Sequence, residues 1–72
     1  MTLDDLSALV HPRYPRGVVS VERRGMNYTV SVHDGPPPTG RDVPWMVVAR
    51  STQLHLRHAI ANVATILRGR AA

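Results

Sequence analysis

Met26-Asn27-Tyr28-Thr29-Val30-Ser31-Val32-His33 is the stretch on which the fold turns. Met26, Tyr28, Val30 and Val32 alternate with Asn27, Thr29, Ser31 and His33. Only a strand sends successive side chains to opposite faces, so a period of two predicts a strand with one apolar and one polar face. Just upstream, Val18 to Arg23 repeats the pattern, with Val19 and Val21 on one face and Ser20 and Glu22 on the other. Arg24 and Gly25 between them supply a turn, which makes the two runs an antiparallel hairpin. Ser20, Glu22, Asn27, Thr29 and Ser31 are expected in water, as one face of an antiparallel sheet can be.

The flanking segments supply the cover. Thr2 stands three residues before Asp5, the spacing of a capping box, and Leu3, Leu6, Leu9 and Val10 share one helical face. Pro12 disfavours helical backbone at His11, so this helix is expected over Thr2 to Val10. A loop through Arg13, Tyr14, Pro15, Arg16 and Gly17 leads into the hairpin. Asp34 to Asp42 holds Gly35, Gly40 and three consecutive prolines, which predicts a stiff, extended surface loop. A third strand is expected from Val43 to Ala49, with Pro44 near its start favouring an edge position. Ser51 then reads as the cap of a last helix whose Leu56, Ile60, Val63 and Leu67 recur at helical spacing. Gly69 ends it, and Arg68 to Ala72 is expected to fray. The expectation is an α+β fold of order αβββα, a three-stranded antiparallel sheet with two helices packed on one face, as a single small domain over residues 1–72.

Seventy-two residues bury only about 60% of the surface of the unfolded chain, so stability is expected to be thin and a homodimer is in keeping with it. There is no cysteine, which excludes thiolate metal sites and thiol catalysis and agrees with a reducing compartment. No apolar run reaches the length of a membrane helix and the N-terminus lacks a secretory pattern, so no membrane is expected and the localisation expected is cytoplasmic. All nine cationic side chains are arginine, with a net charge of +4. That bias follows GC-rich codons and points to a high-GC bacterium or its phage, and the charge favours anionic partners.

Chemistry-bearing clusters are sparse. His55 and His58 lie three apart and could share an ion, but His33 or His11 would have to supply the third ligand, and the spacing matches no zinc frame. His33 and Asp34 are neighbours on a strand and so face opposite ways. Asp4 and Asp5 suit the positive end of the first helix better than acid and base work. Pro36, Pro37 and Pro38 carry no amide hydrogen for a phosphate loop, and Thr39 breaks the PxxP pattern. No catalytic residue, metal or cofactor is therefore assigned.

Two surfaces can be drawn. For a protein partner of unknown identity the candidates are Trp45, Arg41 and Tyr14; Trp45 reads as a buried anchor on the sheet or, if exposed, as part of an apolar patch with Tyr14 and Met46 beside a strand edge. For nucleic acid they are Arg50, Arg57 and His58, expected near Arg13 and Arg16 on one basic surface. The element order resembles that of the double-stranded-RNA-binding domain, in which the last helix presents a basic first turn to phosphates. In that family a lysine cluster opens the second helix. Here the corresponding stretch is Ser51, Thr52, Gln53, Leu54 and His55, and the turn at Arg24 and Gly25 is short for reaching a groove, so no binding residue is carried over. A non-catalytic domain that binds and modulates another protein, an accessory protein of phage or high-GC bacterial origin, is the first expectation, and a small basic nucleic-acid-binding module the second.

Overall fold

Thr2 begins the structure as its spacing predicts. Its hydroxyl accepts from the Asp5 backbone N–H at 3.2 Å while its own N–H donates to Asp5 Oδ2 at 2.8 Å, a reciprocal capping box that opens α1, Leu3–Val10. The bond from the Thr2 N–H first, and the Thr2 side chain second, hold the Asp5 carboxyl below its ordinary value of 3.8. The cap is thus complete above that value and is lost as pH falls through the lowered one. Replacing Thr2 by Ala is expected to cost about 1 kcal/mol in a urea titration at neutral pH, and less near pH 3.

The computed structural model describes residues 1–35 and 46–69. Within them β1 (Gly17–Arg24), β2 (Asn27–Asp34) and β3 (Val47–Gln53) form one antiparallel sheet in the order β1-β2-β3, and α2 (Leu56–Gly69) follows. The order αβββα and the placement of both helices against the sheet agree with expectation. Arg24 pairs with Asn27, which leaves Gly25 and Met26 as the hairpin loop. Gly25 has φ +60°, the conformation that a type II′ turn requires at its first central residue.

Three boundaries differ from expectation. The β3 strand begins at Val47 and runs on to Gln53, while Val43, Pro44 and Trp45 lie outside the described residues, as does the proline loop from Pro36. Ser51 is therefore a strand residue and not a helix cap. It pairs with Val30, is buried, and its Oγ accepts from Asn62 Nδ2 at 2.7 Å, which ties β3 to α2. Asn62→Ala is expected to destabilise the fold by about 1 kcal/mol, read from the shift of a urea midpoint. At the other end α2 stays helical through Arg68 and Gly69, which were expected to fray, and residues 70–72 lie outside the described part.

The core lies between the sheet and the helices. Leu6 and Val10 from α1, Val30 and Val32 from β2, Val48 and Ala49 from β3, and Ala59, Ile60, Val63, Ala64 and Leu67 from α2 are all buried. A register shift between Val32 and His33 sets two β3 residues, Val47 and Val48, against one, and both Val48 and Ala49 reach the core. Val21 was expected on the covered face but is 40% exposed. Length explains this, since eight helical residues span about 12 Å and eight strand residues about 26 Å, so α1 cannot cover all of β1. Ser31, expected in water, is only 5% exposed, because the central strand carries it between Ser20 and Arg50 on its two neighbours.

The two helices run parallel, side by side. Leu3 at the start of α1 meets the start of α2, and Arg13, just past the end of α1, donates from Nη1 to the Leu67 carbonyl at 3.0 Å. That carbonyl belongs to the last turn of α2, where acceptors have no helical partner and the dipole favours a cation. Arg13, expected beside Arg57 and His58, is thus a cap at the far end of the helix from them.

Candidate interaction surfaces

Parallel helices put both N-termini at the hairpin end of the sheet, and a groove of about 950 Å³ opens there. Leu3 from α1, Tyr28 from β2, and Leu56 and Ile60 from α2 form its apolar floor, with Met1 at one end. Leu3 is 36% exposed and Met1 51%, so the helical stripes continue past the core into solvent. The rim is charged. Arg57 and His55 stand on the α2 side and Asp4 on the α1 side, while Arg23 lies 5.7 Å above the Tyr28 ring. Asp5 is engaged in the capping box, so Asp4 is the carboxylate that lines the groove together with Arg57.

The opposite face of the sheet is polar. Arg50 Nε donates to Ser31 Oγ at 3.1 Å, the hydroxyls of Thr29 and Thr52 are bonded at 2.9 Å, and Ser20 Oγ lies 3.3 Å from His33 Nε2. His33 is 6% exposed. Its burial first, and the Arg50 guanidinium second, hold the imidazole below its ordinary value of 6.5. The unfolded chain therefore binds the extra proton first. The His33 contribution to stability is full above about pH 6.5 and falls away as pH drops through the lowered value. A His33→Gln variant should flatten the acid limb of a plot of Tm against pH below 6.5; an unchanged slope would show that another group carries it.

The serine and histidine pair was not legible in the sequence, where His33 was weighed with Asp34 and as a third ligand beside His55 and His58. It follows from the hairpin register, in which Val19 opposes Val32 and Ser20 opposes Ser31, so that Ser20 and His33 are diagonal neighbours on one face. The cavity of about 300 Å³ on that face is lined by Ser31, Arg50 and their neighbours.

The expected site residues are separated by this geometry. Trp45 and Arg41 lie outside the described residues. Tyr14 is half-buried against the core at the C-terminal ends of the helices, while Met46 is exposed before β3. Arg50 is on the open face of the sheet, and Arg57 and His58 are on α2 behind the other face, so these three form no continuous surface. His58 meets the His55 ring edge-on at 5.2 Å. His11 stands at the end of α1 and His33 on the open face. Among the described residues no group of three or more His, Cys, Asp or Glu could hold a metal ion, and no helix is long and apolar enough to cross a membrane.

Searches of protein-family models, curated proteins and solved structures find no match to this chain.

Proposed function

We propose that the chain is a non-catalytic interaction domain whose groove receives an acidic, amphipathic segment of a partner protein, and that docking there modulates the partner. The observation that carries the reading is the groove itself, where apolar Leu3 and Leu56 are left in reach of solvent beside Arg57, with Arg23 over the Tyr28 ring. Apolar floor and charged rim match the two faces of an amphipathic helix, the anchors supplying affinity and the charges orientation. An accessory role in a high-GC bacterium or its phage is the setting the all-arginine cation set favours, and the GC content of the gene tests it.

A leucine- and glutamate-rich helical peptide is the probe. Titrated into the ¹⁵N-labelled chain, it should give saturable shifts at Leu3, Tyr28 and residues 55–60. Arg57→Glu should weaken it by about tenfold, the loss of one charge-assisted contact and the gain of a repulsive one. Shifts that never saturate, or that fall on the open face of the sheet, would refute the reading.

A further inference from the structure

The open face of the sheet holds a second feature, independent of the groove. A shallow cup of about 300 Å³ is lined by Glu22 and Arg24 of β1, Thr29 and Ser31 of β2, and Arg50 and Thr52 of β3. The register brings them together, because Glu22 opposes Thr29, Ser31 opposes Arg50, and Thr29 opposes Thr52. Both guanidinium groups are tethered by the same atom. Arg24 Nε donates to Glu22 Oε1 at 2.9 Å and Arg50 Nε to Ser31 Oγ at 3.1 Å, and each Nη pair makes no further hydrogen bond among the described residues.

Tethering at Nε leaves the end-on fork of each arginine for a ligand, with side-chain freedom already reduced. The hydroxyls add donors. Ser31 Oγ accepts from Arg50, so its own hydrogen is left to donate, and of the bonded Thr29 and Thr52 hydroxyls one keeps a hydrogen for a ligand. Two forks and two hydroxyl hydrogens call for at least three acceptor oxygens on one small group. A planar carboxylate has two oxygens, whereas a tetrahedral phosphate has enough to meet both forks and a hydroxyl at once. Glu22 is countered by Arg24, and Arg50 leaves the cup one positive charge in excess. No aromatic side chain lines the cup, so nothing there stacks on a base.

We infer that this cup is a binding site for a phosphate group, held between the guanidinium forks of Arg24 and Arg50 over the Thr29, Ser31 and Thr52 hydroxyls. The group can arrive free, on a small phosphate monoester, or in a nucleic-acid backbone, and the same four contacts serve each.

Inorganic phosphate is the first probe, titrated at low salt into the ¹⁵N-labelled full chain. Saturable shifts are expected at Thr29, Ser31, Arg50 and Thr52, with acetate at equal ionic strength giving none. Arg24→Gln and Arg50→Gln should each weaken binding by about tenfold. Arg24 is exposed at the end of β1, so its variant remains informative if loss of Arg50 disturbs the buried Ser31. Arg68→Gln, on the last turn of α2, should leave the affinity unchanged. A single-stranded oligonucleotide in the second arm identifies the source. Shifts at the same residues, weakening log-linearly with salt, place the phosphate in a backbone, and saturation by phosphate without oligonucleotide binding places it on a small molecule. Shifts that do not saturate, that acetate reproduces, or that map away from these four residues would overturn the site.

Discussion

Replacing Leu6 by Ala is expected to bring the domain to the edge of unfolding. Leu6 is fully buried and joins α1 to the rest of the core, and removing a buried leucine side chain costs about 2 to 5 kcal/mol. A chain of 72 residues has only about 4 to 11 kcal/mol to lose. No disulfide offsets the deficit, since the chain has no cysteine. Urea titration should show the midpoint falling by about half at the middle of both ranges, with the native baseline lost at the low end of the stability range. Leu54→Ala is the internal control. Leu54 is 60% exposed in the link between β3 and α2, and its loss should change stability by about 0.5 kcal/mol at most. Comparable losses at the two positions would mean that α1 is not part of the folded unit.

The second large effect is expected at Gly17. A β-carbon there would stand 2.5 Å from Val10 Cγ1, 2.9 Å from the Tyr14 carbonyl oxygen and 3.0 Å from Tyr14 Cβ. Val10 is itself buried, and the Tyr14 oxygen already accepts from the Gly17 N–H at 2.7 Å, so none of these atoms can retreat without cost. Gly17→Ala should therefore destabilise by about 1 to 3 kcal/mol through overpacking. Gly25→Ala makes a different test, because nothing lies within 4 Å of its added carbon and only the positive φ opposes it. Its cost should be about 1 to 2 kcal/mol, arising from backbone strain alone. Gly17→Ala should loosen α1 and the following turn in hydrogen exchange, and Gly25→Ala only the hairpin tip.

The elements that were legible are those whose instructions are local. A threonine and an aspartate three apart wrote the start of α1, and an alternating run around a glycine wrote the hairpin. Ser51 misled because a serine before an apolar helical stripe has the chemistry of a cap, while its fate is decided by β2, whose Val30 pairs with it. Pairing with a partner twenty-one positions away outweighed a local preference. Val21 and Ser31 show the same limit in packing. Alternation says which face a residue takes, but the reach of α1 and the width of the sheet decide whether that face is covered.

The two surfaces were less legible than the fold. Leu3 and Leu56 each open an apolar stripe, and a stripe beginning in the first turn is the signal that its end can protrude. Only the parallel alignment of α1 and α2 brings the two ends together over Tyr28. Arg24 and Arg50 were assigned to different groups because the extent of β3 was set too early in the chain. Once Ser31 is placed opposite Arg50, the cup follows from alternation on the three strands.

Both surfaces depend on one placement, the apolar stripe of α2 lying on β2 and β3 of its own chain. Isotope-filtered NMR on a mixture of ¹³C-labelled and unlabelled chains tests it directly, by asking where the methyl contacts of Ile60, Val63 and Leu67 originate. Contacts to Val30, Val32 and Val48 are predicted within the labelled chain and none across the filter. If those contacts appear only between labelled and unlabelled chains, α2 docks on a second copy, and the groove and the open polar face lose their basis together.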